Sequence, residues 1–299
     1  MNARLLFIVL GLTALTGSET WAQEGAGSQF TVDDRALKER LRQGLELLLD
    51  VEGVPRGREL LRSVSKSDKV NVATKPNGGE PPSSVEIYRR AIRSSVIIGH
   101  LYKCDNCSKW HASQAGGVII DPSGIVVTAH HVMDSDRAEV FGAMTSGGEV
   151  FPIIKVLAAS EPDDLAIVQL NTGDRQLDTS PIAPKNAPPG SGLRALSHPA
   201  GQFFTYSEGI VARYYFDPSA RASRMQITAD YARGSSGCGV YNTKGELTGI
   251  VSSTRSIYYN QHHGEQRNLQ MVQKSCIPIA SLRRLLRAGR NSPDQDAHD

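Results

Sequence analysis

Residues 116–132 have the sequence GGVIIDPSGIVVTAHHV, in which two short runs of Val and Ile are separated by the turn formers Pro, Ser and Gly. Short runs of β-branched residues that end at turn residues are typical of β-strands. Similar runs recur from about residue 86, including SVIIGHLY, VFPIIKVLA, LAIVQL, GIVARYYF, RMQITA and ELTGIVSS. Strands at this close spacing, without helices between them, predict an all-β barrel or sandwich.

The β-rich region has two halves of similar size. Residues 172–192, which are rich in Pro and Gly, separate them. We therefore predict two barrels, at about 86–178 and 190–288. Residues 279–288 return to helical periodicity and are expected to close the domain, and the polar tail 289–299 is expected to be disordered.

The first 22 residues have the features of a secretory signal peptide. Arg4 supplies a positive charge, residues 5–16 are apolar, and Thr20 and Ala22 are small residues at the −3 and −1 positions of a cleavage site. The apolar run is shorter than the roughly 20 residues that span a bilayer. We expect a secreted or periplasmic protein with no membrane span after cleavage.

Residues 23–64 are predicted to form a helical extension. The stretch 33–50, DDRALKERLRQGLELLLD, places leucines at helical spacing behind two aspartates that suit a helix N-terminus. Residues 65–85 contain few large apolar groups and many turn formers, which is typical of a linker. We therefore expect the helix to lie outside the main domain, which spans 86–288.

The charge balance limits the classes of partner. The chain has 33 basic and 31 acidic residues, for a net charge of +2. This balance predicts no nucleic-acid surface. Protein or peptide substrates are the expected partners, and the sequence carries no signal for the oligomeric state.

Three segments supply His131, Asp164 and Ser236, in that order along the chain. A serine hydroxyl needs a base to become nucleophilic, and an imidazole accepts protons near neutral pH. A carboxylate fixes the imidazole tautomer. Glycines beside the serine allow a sharp turn, so the backbone N–H groups of Gly234 and Ser236 are candidate donors of an oxyanion hole.

These segments resemble those of chymotrypsin-like and trypsin-like serine peptidases, and most closely the bacterial HtrA-like (Deg) protease domains. The resemblance covers residues 86–288 through VVTAHHV, DDLAIVQL, LSHPAGQFFTYSEGIV, GSSGCGVYNTKGELTGIVS and CIPIASLRRLL. It implies two antiparallel six-stranded β-barrels with the triad at their interface. It also implies a serine endopeptidase that acts through an acyl-enzyme. Because the sequence ends soon after the predicted closing helix, we expect no PDZ domain of the kind that HtrA proteins carry.

Neighbouring residues compete for each catalytic position. The family pattern favours His131 over His130, Asp164 over Asp163, and Ser236 over Ser235. Asp163 is then expected to be a solvated loop residue.

Two other positions bear on the interpretation. His198 is expected to be a turn or packing residue. Cys238 replaces the second glycine after the nucleophile, which leaves a catalytically silent, protease-like binding module as the alternative function.

Three residues are candidates for the substrate pocket: Asp230, Ser252 and Ser253. In trypsin-like enzymes an aspartate six residues before the nucleophile attracts Arg or Lys substrates. In HtrA-like enzymes a similar T-x-D step is structural, and the pocket prefers small aliphatic residues. Ile227-Thr228-Ala229-Asp230 is more similar to the second pattern. Ser252 also matches a family serine that can bond to the triad aspartate, although a local strand contact explains it equally well.

The four cysteines are Cys104, Cys107, Cys238 and Cys276. An even count in an exported chain predicts two disulfides, with three possible connectivities. We expect Cys104–Cys107 across a hairpin turn, and the resemblance implies Cys238–Cys276. A zinc or redox role of Cys104 and Cys107 is the alternative. It lacks a second CxxC or an HxxxH to complete four ligands, so no metal and no cofactor is expected.

Overall fold

A computed structural model of the chain describes residues 31–60, 69–72, 80–262 and 265–287. The signal peptide predicted at 1–22 and the tail at 289–299 lie outside the described residues. Most of the linker predicted at 65–85 lies outside them too. None of the described helices has the length and apolar character needed to cross a bilayer.

The described residues contain five α-helices and fifteen strands. The helices are α1 (Asp34–Leu47), α2 (Gly57–Leu60), α3 (Ser84–Ser94), α4 (His130–Met133) and α5 (Ile279–Leu285). The strands are β1 (Val70–Asn71), β2 (Ser95–Lys103), β3 (Trp110–Ala112), β4 (Ala115–Asp121), β5 (Ile125–Ala129), β6 (Val140–Thr145), β7 (Val150–Ser160), β8 (Leu165–Leu170), β9 (Gly192–Ser197), β10 (Thr205–Asp217), β11 (Ala222–Ile227), β12 (Gly239–Asn242), β13 (Leu247–His262), β14 (Glu265–Pro278) and β15 (Leu286–Arg287).

The first barrel is a ring of six antiparallel strands in the order β2-β4-β5-β8-β7-β6, closed by pairing of β2 with β6. β3 pairs with the end of β2 as an additional strand. The run GGVIID forms β4 and the run IVVTA forms β5, paired so that Val118 lies opposite Val127. Both strands are buried because alternate side chains enter the barrel and the other side chains are covered by neighbouring elements.

The second barrel is closed in the order β10-β11-β14-β13-β12-β9, and all of its pairs are antiparallel. Its interior contains Leu193, Val211, Met225, Val240 and Val251. The prediction of two six-stranded antiparallel barrels, with a helix at each end of the fold, is confirmed.

The N-terminal helix differs from the expected appendage, because its leucines are buried against the first barrel. Leu37, Leu41 and Leu45 are at most 2% exposed. A Cβ on Gly142 of β6 would lie 2.8 Å from Leu45 Cδ2, so the absence of a side chain there lets the helix approach the sheet. Helical periodicity revealed the apolar face, but it could not reveal which surface that face covers.

Two shorter helices, α3 and α5, flank the barrels: α3 precedes the first strand of the first barrel, and α5 follows the last strand of the second barrel. α3 is capped by Ser83, whose hydroxyl accepts the N–H of Glu86, and it directly precedes β2. No pattern in residues 84–94 had indicated this helix. α5 begins at Ile279, as predicted for the closing helix, but it ends at Leu285, and the next two residues form β15, which pairs with β1.

Asp163 is not the solvated residue that we expected. Its carboxylate accepts hydrogen bonds from Ser281 and Arg284 of α5, both at 2.8 Å. Burial raises the pKa of Asp163, but these bonds and one from Ser160 outweigh that effect and lower it. The residue therefore fastens the closing helix to the first barrel.

If α1 belongs to the core of the first barrel, truncating its buried face should destabilise the whole domain. We predict that Leu41→Ala lowers the free energy of unfolding by about 2–5 kcal/mol, the usual cost of deleting a buried leucine side chain. Leu47→Ala is the matched control, because Leu47 is 44% exposed. Urea denaturation followed by circular dichroism measures both, and equal effects of the two substitutions would mean that the helix does not stabilise the barrel.

Candidate active site

His131 and Asp164 lie at the ends of two paired strands of the first barrel. Ala129 at the end of β5 pairs with Leu165 at the start of β8. The chain then turns into α4, and the N–H of His130 donates to the carbonyl of Asp164 at 2.9 Å. This pairing brings together two residues that are 33 positions apart.

The three predicted catalytic side chains form one chain of hydrogen bonds. His131 Nδ1 lies 2.9 Å and 3.0 Å from the two carboxylate oxygens of Asp164. His131 Nε2 lies 2.9 Å from Ser236 Oγ. The Ser236 hydroxyl also lies 3.3 Å from the carbonyl of Ser252, a longer contact than the one to the imidazole.

Asp164 is held by donors from both barrels. The backbone N–H of His131 donates to Oδ1 at 3.1 Å, and the Ser252 hydroxyl of β13 donates to Oδ2 at 2.6 Å. Its backbone has a φ of 58°, a left-handed conformation in which Asp is tolerated better than most residues. The structure therefore joins Ser252 to the aspartate, which was one of the two open interpretations.

The contact between His131 and Asp164 raises the pKa of the histidine and lowers the pKa of the aspartate. The hydrogen bond to Asp164 raises the pKa of His131 above its ordinary value of 6.5, against the opposing effect of burial. For Asp164, burial raises the pKa, but hydrogen bonds from His131 and Ser252 outweigh it, so the pKa falls below 3.8. The carboxylate therefore stays ionised at neutral pH and can stabilise an imidazolium.

The turn that carries Ser236 depends on glycines. Gly234 and Gly237 have φ values of 97° and 84°, in the left-handed region that favours glycine. A Cβ on Gly237 would lie 2.1 Å from the carbonyl oxygen of Gly116. The N–H of Gly116 donates to the Ser236 carbonyl at 2.7 Å, so this turn packs directly on the first barrel.

The backbone N–H groups of Gly234 and Ser236 have no acceptor among the described residues. They are therefore available to a ligand, as an oxyanion hole requires. Ser235, the rejected nucleophile, is buried and its hydroxyl accepts the N–H of His198 at 3.2 Å. His198 is itself buried against the rings of Phe203 and Phe204, in agreement with a packing role.

A small cavity of about 200 Å³ adjoins Ser236. Its lining consists of Tyr231, Ala232, Arg233, Gly234, Ser236, Val251, Ser252, Ser253 and Thr254. Ser252 and Ser253, two of the candidates for the substrate pocket, both line this cavity.

Asp230 does not lie in that pocket. Its side chain is 88% exposed and pairs with Lys274 at 2.9 Å. Tyr231 fills the adjacent interior instead, where its hydroxyl donates to the carbonyls of Ser253 and Ser275. The placement contradicts a trypsin-like role of Asp230 at the base of the pocket and agrees with the structural alternative.

A larger cavity of about 1010 Å³ extends from His131 and Ser236 to the N-terminal helix. Arg35, Lys38 and Arg42 of α1 line one side of it. Helix α1 therefore forms one wall of the cleft. Helical periodicity in a sequence does not show which other segment the helix packs against, so this position could not be predicted.

All four cysteines are free in the structure. Cys238 and Cys276 lie on either side of β13, because Val251 of that strand pairs with Cys276 and donates its N–H to the Cys238 carbonyl. Two strand spacings of about 4.8 Å separate their Cα atoms by more than the roughly 7 Å that a disulfide spans. The predicted bridge therefore does not fit. Burial raises the pKa of both thiols, to about 12 for Cys276.

The other predicted bridge joins residues that do lie close together. Cys104 Sγ and Cys107 Sγ are 3.3 Å apart, without a bond.

The chain is similar to known bacterial proteases. It is 28% identical over 205 residues to the serine endoprotease DegS of Salmonella typhimurium, covering 65% of this chain and 56% of the relative. It is 33% identical over 139 residues to the periplasmic serine endoprotease DegP of the same species, covering 45% and 28%. It is 26% identical over 219 residues to the serine protease HtrA-like of Staphylococcus aureus, covering 66% and 28%.

The chain thus spans about half or less of the length of these relatives. Residues 115–250 match the family model of the trypsin-like peptidase domain. Residues 115–250 are therefore identified as a trypsin-like peptidase domain, and the two antiparallel barrels and the relatives named above show a relation to the HtrA-type proteases.

Proposed function

We propose that this protein is a serine endopeptidase in which Ser236 is the nucleophile, His131 the general base and Asp164 the residue that orients the imidazole. The observation that carries the proposal is the chain of hydrogen bonds from Asp164 through His131 to Ser236, with its two critical contacts at 2.9 Å. These three hydrogen-bonded side chains lie beside a pocket and beside two backbone N–H groups that have no acceptor among the described residues. Those parts together are what acyl transfer requires.

The proton positions follow from the contacts. The Asp164 carboxylate accepts a hydrogen bond from the N–H at His131 Nδ1, so the lone pair on Nε2 faces Ser236. Attack of Ser236 Oγ on a peptide carbonyl transfers the hydroxyl proton to Nε2, and the ionised carboxylate stabilises the resulting imidazolium. The negative charge on the carbonyl oxygen would be met by the N–H groups of Gly234 and Ser236.

The imidazolium then returns its proton to the leaving amine, which breaks the peptide bond and leaves an ester on Ser236. A water molecule that gives its proton to His131 Nε2 attacks this ester. Release of the carboxylic acid restores the Ser236 hydroxyl. His131 thus carries the proton in both halves of the reaction, first from Ser236 to the leaving amine and then from the water molecule back to Ser236 Oγ.

The place of action is proposed to be the periplasm or the cell exterior. The support is the signal-peptide pattern in residues 1–22 and the similarity to a relative named as a periplasmic endoprotease. Proteins and peptides would be the substrates.

Removing the nucleophile should abolish turnover without unfolding the protein. We predict that Ser236→Ala lowers kcat by several orders of magnitude, as loss of a triad serine typically does. His130→Ala is the control, because no side-chain hydrogen bond joins His130 to the three proposed catalytic residues in the described structure, and its backbone bond to Asp164 is kept. Hydrolysis of an unfolded protein substrate, with circular dichroism as the fold check, measures both. Activity retained by Ser236→Ala would disprove the proposal.

The pH profile should report the His131–Asp164 contact. Activity needs an unprotonated Nε2, so kcat/KM should rise with pH through a midpoint above 6.5, the ordinary imidazole pKa. Asp164→Asn removes the contact that raises this pKa, so the midpoint should move down while kcat falls by about 10⁴-fold. Asp163→Asn makes the same charge change one residue away and should leave the midpoint nearly in place. Equal midpoint shifts in both variants would contradict the assignment.

The pocket predicts a preference at the residue whose carbonyl is attacked. A cavity of about 200 Å³ suits small or medium apolar side chains, because Asp230 is absent from its lining and pairs with Lys274 instead. Profiling with a peptide library should show cleavage after such residues at least about tenfold better than after Arg or Lys. Asp230→Ser should not change this order. Dominant cleavage after Arg or Lys that Asp230→Ser abolishes would refute it.

A further inference from the structure

The loop between β2 and β3 brings together three side chains that the proposed peptidase chemistry does not use. Cys104 and Cys107 lie in this loop, and His111 lies in β3 four residues after Cys107. The sulfur atoms are 3.3 Å apart, and Cys107 Sγ lies 3.0 Å from His111 Nε2. All three donor atoms fall within 4.8 Å of one another.

From this convergence we propose that Cys104, Cys107 and His111 form a zinc-binding site with one coordination position open to solvent. Two thiolates and one imidazole are ligands that zinc favours, whereas Ca²⁺ and Mg²⁺ prefer oxygen. Two thiolate charges also neutralise a divalent ion. A disulfide would explain why the two cysteines lie close together, but it would not explain the short contact between His111 and Cys107.

The distances suit an ion after a small expansion. Bonds of about 2.3 Å to sulfur and 2.0–2.1 Å to nitrogen, at tetrahedral angles, separate two sulfurs by about 3.8 Å and a sulfur from a nitrogen by about 3.6 Å. The contacts are shorter by about half an ångström. Cys107 is exposed and Cys104 is partly exposed, so the loop can widen without disturbing the barrel.

The strands around the site position its histidine. Tyr102 of β2 pairs with His111 of β3, and their rings lie 5.6 Å apart. Lys103 directs its ammonium group over the ring of Trp110 at 4.5 Å. These contacts fix one wall of the site.

The fourth position would be filled by water, because the two other side chains of this region that carry a carboxylate or an imidazole, Asp105 and His100, have other partners. Asp105 pairs with Arg137 at 3.0 Å. Both ring nitrogens of His100 have hydroxyl partners, Ser113 and Ser135.

The site also adjoins the cleft. His111 and Trp110 line the same cavity of about 1010 Å³ as His131 and Ser236. An ion bound at the β2–β3 loop would therefore cross-link the edge of the substrate cleft. The metal site itself does not depend on peptidase activity, since it can be measured by binding alone.

The test is titration of the reduced full chain with Zn²⁺ and, as a spectroscopic probe, with Co²⁺. We expect one equivalent of Zn²⁺ to bind, and the Co²⁺ form to show thiolate-to-cobalt charge-transfer absorption with the d–d bands of a tetrahedral ion. Cys107→Ser and His111→Ala should each weaken binding by more than about 100-fold, beyond the losses typical of residues that only support ligands. Cys104→Ser is a further ligand variant if His111→Ala fails to fold.

Lys109→Ala is the matched control, because it changes an exposed residue of the same loop and should bind Zn²⁺ as the unaltered chain does. The proposal is overturned if no stoichiometric Zn²⁺ binds, or if the Co²⁺ spectrum lacks thiolate bands. It is equally overturned if binding survives all of the ligand substitutions, since the ion would then lie elsewhere. A Cys104–Cys107 disulfide that forms in air despite saturating Zn²⁺ would also contradict it.

Discussion

The hydrogen bonds to the carboxylate of Asp164 are the interaction on which the rest of the site depends, because they come from both barrels. His131 of the first barrel donates to it through both its ring and its backbone, and Ser252 of the second barrel donates through its hydroxyl. A buried carboxylate without such donors would be costly to ionise. Docking of the two barrels therefore creates the environment that keeps Asp164 charged and the imidazole oriented.

Close backbone packing keeps that junction in register. The Ser236 turn lies on Gly116 of the first barrel, where a side chain at Gly237 would collide with the carbonyl of Gly116. On the other side of Asp164, Asp163 binds α5, which follows the last strand of the second barrel. Two adjacent aspartates thus serve different purposes, one at the candidate active site and one at the closing helix.

Sequence patterns predicted most of the barrel strands, because turn residues and β-branched runs are local signals. They also named three side chains that the structure brings together, because the family motifs have a fixed order. Sequence patterns did not predict the contacts that depend on which distant segment packs against a residue. The leucines of α1 were visible as a helical face, but not their burial against the barrel. Asp230 had the right offset for a pocket, yet its partner Lys274 comes from a distant strand. The family resemblance implied that Cys238 and Cys276 pair, and their spacing along the sequence could not show that β13 separates them.

Packing of the two barrels against each other places His131 and Asp164 beside Ser236, and we propose that this placement makes Ser236 nucleophilic. The most direct test is reaction of the folded protein with a fluorophosphonate, followed by peptide mass spectrometry. The account predicts that Ser236 alone acquires the phosphonate, and that His131→Ala reduces the labelling rate by orders of magnitude. Labelling of Ser235 or Ser252 in its place, or no labelling of a protein shown to be folded, would contradict it.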